Sequence, residues 1–155
     1  LDPYYPAYYE GRTEIEGIRD YFESILENVT LIDDFDVYGH LDYVVRYCPS
    51  GEKIFRMADY NDVLEQIFKI IISKGKGIEI NTGSLYKNMS YAHPHMDILK
   101  LYKDMGGEII TVGSDAHKPE YLCYDFETYA RDALTSLGYR YYCTFKNRKP
   151  EFNPL

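Results

Sequence analysis

Strand-like apolar runs alternate with helix-like ones along this chain, and that alternation limits the folds open to it. Short apolar runs stand at about 35–39, 77–81, 108–112 and 140–145. The first leads to a helical pattern over about 59–74, where Val63, Leu64, Ile67, Phe68, Ile71 and Ile72 share one face. The second leads to a helix starting near Pro94, a favoured first-turn residue. Ile98, Leu99, Leu101 and Tyr102 form its apolar side, and Gly106-Gly107 stops it. The third leads to a helix near 126–137, stopped by Gly138, and the fourth to a polar tail over 146–155. Strand starts fall roughly thirty to forty residues apart, the length of a β-plus-helix unit. The class is therefore α/β, with about four βα units and a mainly parallel sheet. Four strands do not close an eight-stranded barrel, so the expectation is part of a barrel or a small open sheet.

Ahead of these units, residues 1–12 are rich in Pro and Tyr without periodicity and read as an arm or loop. Thr13-Glu14-Ile15-Glu16 has the form of a capping box. The helix it starts runs to about Asn28, with Ile15, Ile18, Phe22, Ile25 and Leu26 in one stripe. The 155 residues suffice for one domain with a core, expected over the whole of 1–155. No basic leader is visible and no apolar run reaches the roughly eighteen residues of a membrane span. The first residue is Leu rather than Met, so the chain is expected to begin within a longer product or after processing. Net charge is −8, which argues against a nucleic-acid partner held through phosphates. Cys48, Cys123 and Cys143 are odd in number and far apart, as expected of reduced thiols in a cytoplasmic protein. Eighteen Tyr without Trp reads as amphipathic filling of half-buried surface.

In barrels of βα units, functional residues gather at the C-terminal ends of the strands. His40 ends the first run, Glu79 and Asn81 the second, and Asp115 and His117 follow the third. Carboxylate with imidazole is ordinary ligand chemistry for Zn, Mn or Fe. An isolated Ser114-Asp115-Ala116-His117 would read as a turn cap followed by a surface histidine. Three successive strand ends on one rim favour the metal reading, with His40, Asp115 and His117 as ligands.

The segments Phe35-Asp36-Val37-Tyr38-Gly39-His40-Leu41-Asp42-Tyr43-Val44-Val45-Arg46-Tyr47, Ile78-Glu79-Ile80-Asn81-Thr82 and Gly113-Ser114-Asp115-Ala116-His117 together resemble the PHP (polymerase and histidinol phosphatase) family, in its histidinol-phosphatase branch. The similarity runs from about Gly11 to Arg148. The resemblance implies a PHP-type (β/α)7 barrel with up to three divalent metals at the strand C-terminal ends. It matches His40, Asp115 and His117 to family metal ligands, which also carry the catalysis. The family's opening His-x-His motif, a bridging acidic ligand and further His ligands have no counterpart here. The chain thus reads as the C-terminal part of such a barrel, lacking roughly the first three units and holding fewer metals or none alone.

The activity so implied is metal-dependent hydrolysis of a small phosphate monoester, histidinol phosphate in histidine biosynthesis. Arg46 could grip the substrate phosphate through paired hydrogen bonds, with a surface ion pair as the plain alternative. Arg56 has a weaker form of the same claim. Glu79 and Asn81 alternate with Ile78 and Ile80, so they share one face and could serve substrate or support a ligand. Solvent exposure at a strand edge is their alternative. Asp42 could accept a hydrogen bond from a neighbouring ligand. His93-Pro94-His95 starts a helix rather than ending a strand, giving His93 a cap role and His95 a surface one. Gly75-Lys76-Gly77 reads as a helix-to-strand turn. Two other readings remain. One is a PHP phosphoesterase acting on nucleotides or DNA ends. The other is a non-catalytic truncated module that self-associates through exposed barrel edges.

Overall fold

Thr13 begins the first long helix as its sequence predicts. In the computed structural model, which describes residues 2–155, its Oγ1 accepts from Glu16 N at 3.2 Å. Glu16 Oε2 accepts in return from Thr13 N at 2.7 Å. Helix α1 then runs Glu14–Leu31 and buries Gly17, Ile18, Phe22, Ile25 and Val29. Its C-terminal carbonyls are met from another element, since Lys74 Nζ donates to Val29 O at 2.7 Å. The expected arm is docked rather than free, apart from Leu1, which lies outside the described residues. A 3-10 turn at Pro6–Tyr9 lays its tyrosines on α1, and Tyr8 OH donates to Gly17 O at 2.7 Å. A Cβ at Gly17 would come within 2.9 Å of the Tyr9 ring, so the close approach needs glycine there.

The three middle units form as expected, with the first and third strands shorter and the second as read. Strand β1 is Val37–Tyr38, helix α2 Asn61–Ser73, strand β2 Gly77–Asn81, helix α3 Met96–Asp104 and strand β3 Ile110–Gly113. The sheet order is β1-β2-β3, all parallel. Tyr38 lies opposite Ile78, and Asn81 opposite Gly113. Ile78, Ile80 and Ile110 are fully buried with Ile67, Phe68, Ile71, Leu99 and Tyr102. Each such apolar side chain contributes about 1.5–3 kcal/mol on burial.

Two boundaries depart from the sequence pattern. Helix α3 begins at Met96, not at Pro94. The His93–Pro94 peptide bond is cis, and the cap is His95, whose Nδ1 accepts from Asp97 N at 3.2 Å. The third unit's helix opens with a π-helical turn, Phe126–Ala130, before α4 at Arg131–Ser136.

The largest departure is at the end of the chain. Strand β4, Tyr141–Lys146, does not join the parallel sheet. It pairs antiparallel with β5, Lys149–Pro154, so the expected polar tail is a strand. The two-residue turn Asn147-Arg148 has both residues at positive φ, the conformation that suits the twist of a tight hairpin. Pro150 and Pro154 are tolerated because β5 is an edge. Arg148 ties the turn to Asp34 and Asp36, just before β1, and their carboxylates hold its pKa above the usual range. The chain is thus three parallel βα units followed by a hairpin. No helix among the described residues is long and apolar enough to cross a membrane.

The thiols give a direct check on this packing. Cys48 and Cys143 are buried and Cys123 is exposed. Burial pushes the Cys48 thiol up to about 11 and raises Cys143 too. Ellman's reagent near neutral pH is expected to label Cys123 quickly and the other two only on unfolding. Fast labelling of all three in the folded chain would contradict the packing.

Candidate functional site

Parallel pairing brings the ends of β1, β2 and β3 to one rim. His40, two residues past β1, has φ 30°, and its N–H donates to Glu79 Oε2 at 3.1 Å. Its ring lies against Tyr43 with centroids 4.8 Å apart. Its Nδ1 is buried with no hydrogen-bond partner among the described residues. Asn81 Nδ2 donates to the same Glu79 oxygen at 3.1 Å, and Asn81 Oδ1 accepts from Gly83 N at 2.9 Å. Glu79 and Asn81 are therefore joined to each other and to the backbone rather than left at an exposed strand edge.

Asp115 and His117 leave β3 on the other side. Asp115 has φ 51°, and its Oδ2 pairs with Lys87 Nζ at 3.1 Å. His117 Nδ1 lies 2.8 Å from Asp115 O and 3.9 Å from Asp115 Oδ1, with the side chain 79% exposed. A carbonyl only accepts, so in this contact Nδ1 is the donor and Nε2 is the nitrogen left facing outward. Among the described residues no three His, Cys, Asp or Glu side chains come together as a group able to hold a metal ion. Asp115 and His117 are neighbours, and His40 stands apart from them. The donor types suit Zn, Mn or Fe, and a buried, unpartnered imidazole nitrogen is what a ligand atom looks like. These residues fit as part of a metal site, not as a whole one.

A short helix after β2 steadies the Asp115 loop, and no periodicity marks it in the sequence. It is the 3-10 turn Thr82–Lys87. Thr82 Oγ1 reaches Tyr124 O at 2.7 Å and Gly113 O at 3.3 Å. Tyr86 OH lies 2.8 Å from both Ser114 O and Asp115 O, and its ring stacks on Tyr121 at 4.1 Å. Thr82 closes the second motif segment, which was the one available signal. Nothing local distinguishes Tyr86 from the other seventeen tyrosines.

Arg46 sits on the 3-10 turn Tyr43–Tyr47, its guanidinium 4.9 Å from the Tyr47 ring centre and 5.5 Å from that of Tyr43. No carboxylate among the described residues pairs with it. It lines a cavity of about 420 Å³ with Ser50, Glu52, Lys53, Lys87 and Asn88. Arg56 instead pairs with Asp59 at 3.0 Å on the surface.

Asp42 has a different partner from the one expected. It is fully buried, and its Oδ1 lies 2.6 Å from His93 Nδ1. Its Oδ2 accepts from His95 N at 2.9 Å. His93 is therefore no helix cap. Its backbone pairs in both directions with Asn81, at 2.6 and 3.0 Å. The sequence placed it at a helix start because its carboxylate partner lies 51 residues away. Together these bonds tie the loop after β1 to the loop after β2.

A profile of the PHP domain family matches residues 2–83, more than half of the chain. Histidinol-phosphatase of Lactococcus lactis subsp. lactis (strain IL1403) is 31% identical over 148 residues, covering 94% of this chain and 54% of its own. A probable histidinol-phosphatase of Thermotoga maritima is 32% identical over 134 residues, covering 86% of this chain and 54% of its own. The chain thus spans about half the length of the curated relatives it matches. The crystal structure of the Lactococcus lactis histidinol phosphate phosphatase, complexed with Zn, L-histidinol and phosphate, aligns with a TM-score of 0.77 at 28% identity. The alignment covers 97% of this chain and 57% of that one.

Removing the Asp42 carboxylate strands the buried His93 Nδ1 and the part-buried His95 N–H at once. Asp42→Ala is expected to destabilise the fold clearly, since each buried donor left unsatisfied costs about 1–3 kcal/mol. Asp42→Asn, which keeps an acceptor oxygen, is expected to cost less. Urea unfolding midpoints measure both, and an unchanged midpoint for Asp42→Ala would remove Asp42 from this role.

Proposed function

The chain belongs to the PHP domain family, and on that premise we propose that it carries part of the active site of a metal-dependent phosphate-monoester hydrolase acting on histidinol phosphate. One observation carries the reading. His40, Asp115 and His117 leave the same end of one parallel sheet. That sheet lies in a fold aligned over 97% of the chain with a neighbour whose structure holds zinc, histidinol and phosphate. The reading includes a seven-stranded barrel of which residues 1–155 form one contiguous part. It also includes a reducing, cytoplasmic setting, which the three unpaired cysteines support.

His40, Asp115 and His117 would hold the metal in this reading. His117 presents Nε2, because its Nδ1 proton is engaged by Asp115 O. When bound, a divalent metal supplies Lewis-acid stabilisation of phosphoryl oxygens and a nucleophile at neutral pH. Arg46 grips the substrate phosphate. The Tyr43 and Tyr47 rings hold its guanidinium in place, and Lys53 and Lys87 share its cavity. Glu79 and Asn81 form the polar floor beneath the substrate. A second reading, a non-catalytic module that self-associates, draws support from two observations. No three-donor cluster exists among the described residues. Strand β1 pairs on one edge only, leaving the other open to another strand.

Three measurements test the proposal. After incubation with Zn or Mn and gel filtration, the chain should retain metal by elemental analysis, and the His40→Ala/Asp115→Ala/His117→Ala variant should not. Equal retention would sink the shared site. In the complete barrel, phosphate release from histidinol phosphate should fall by orders of magnitude in Asp115→Ala. Arg46→Ala should lower kcat/KM about ten- to hundredfold, the equivalent of roughly 1.5–3 kcal/mol for a charge-assisted hydrogen bond. Metal content should stay unchanged, and Lys should rescue only partly because it lacks the planar fork. An effect under about twofold would return Arg46 to a surface role.

A further inference from the structure

We propose that Glu79 is a positioning residue for His40, and that Gly39 and Gly113 are glycines because the Glu79 carboxylate occupies the space a side chain would need. The inference rests on His40 being a metal donor, as argued above.

The need arises at the end of β1. Its ladder stops at Tyr38, so the His40 N–H has no strand partner. His40 is also held at φ 30°, a region that side-chain-bearing residues seldom enter without support. Glu79 supplies that support from the middle strand. Its Oε2 accepts from His40 N and from Asn81 Nδ2, each at 3.1 Å. Asn81 is fixed in turn by Gly83 N at 2.9 Å. A carboxylate is the strongest acceptor a backbone N–H can be offered, and here two donors share one of its oxygens.

The flanking glycines fit this role and no other evident one. Neither Gly39 nor Gly113 has the positive φ that favours glycine. What distinguishes them is space. A Cβ at Gly113 would lie 2.2 Å from Glu79 Oε1, and one at Gly39 would lie 3.2 Å from Oε2. The first is a collision that moves the carboxylate, and the second tightens its seat. One residue from each of three neighbouring strand ends thus builds a single seat for one carboxylate. No cation among the described residues pairs with Glu79. Its charge is therefore not spent on an ion pair, and its other oxygen, Oε1, has no hydrogen-bond partner among them either.

A positioning role predicts an order among substitutions that a pure charge effect reverses. Glu79→Gln keeps the reach to His40 N without the charge. Glu79→Asp keeps the charge without the reach. Zn titration of the chain, with thermal melting alongside, should place Gln above Asp in affinity. Glu79→Ala should weaken Zn binding about ten- to hundredfold, as loss of a group supporting a ligand does. Gly113→Ala should lower the melting temperature. Adding Glu79→Ala to it should restore melting by removing the collision, while Zn affinity stays low. Asp equal to or above Gln, wild-type affinity in Glu79→Ala, or no melting change in Gly113→Ala would each overturn the proposal. His40→Ala separates the two levels. If it binds Zn as wild type does, the metal reading itself fails. If it loses Zn while Glu79→Ala does not, only the positioning role fails.

Discussion

Strand β2 hydrogen-bonds β1 along one edge and β3 along the other, both in parallel, and the register fixes what meets at each level. Asn81 stands opposite Gly113, and Tyr38 opposite Ile78. Because side chains alternate, Ile78 and Ile80 go to the buried core while Glu79 and Asn81 go to the other face. A shift of one residue would bury the Glu79 charge among α2 and α3 and turn two isoleucines outward. The core therefore holds the polar face in place. Aromatic contacts add to that grip, such as Phe68 against Tyr102 at 5.1 Å and Phe22 against Tyr60 at 5.4 Å.

Parallel strands send their loops to one end, but sharing an end does not order the loops. Two polar devices do so here, and they differ in kind. Around Asp42, the carboxylate and the His93 ring are buried together, and the part-buried His95 N–H donates to the same carboxylate. Leaving such groups unmade is expensive in a low-dielectric interior, so this junction is rigid. Around Asp115 the contacts are to Lys87, to the Tyr86 hydroxyl and to His117, in partly exposed positions. The rim thus has a buried junction, near β1 and β2, and a more exposed one, after β3.

That division matches what the sequence made legible. Features set by local spacing were readable: the Thr13–Glu16 capping box, the α2 stripe from Val63 to Ile71, the alternation in β2, and the strand ends carrying His40 and Asp115. Features set by distant partners were not. His93 looks like a helix cap until Asp42 is beside it. The β4–β5 turn is Asn147-Arg148 without glycine, so nothing marked a hairpin, and Lys149–Pro154 read as a tail. The roles of Thr82, Tyr86 and Lys87 depend on a loop some thirty residues downstream. Residue type and strand end gave the candidate donors, but how closely they approach depends on loop conformation, which periodicity does not encode.

The charge distribution at the rim follows from the same geometry. The chain carries 25 acidic and 17 basic residues, yet Arg46, Lys53 and Lys87 meet around one cavity. Glu52 also lines it, but its carboxylate is turned to Ser90, with contacts of 2.6 and 3.0 Å. Asp115 is the only carboxylate paired with Lys87 among the described residues. The pair is partly open to water, at 30% and 41% side-chain exposure, and pairs of that kind contribute no more than about 1 kcal/mol. Breaking it is therefore a small perturbation to the fold. Lys87 and Arg46 line the same cavity, so this one weak ion pair joins the basic wall of that cavity to the loop after β3.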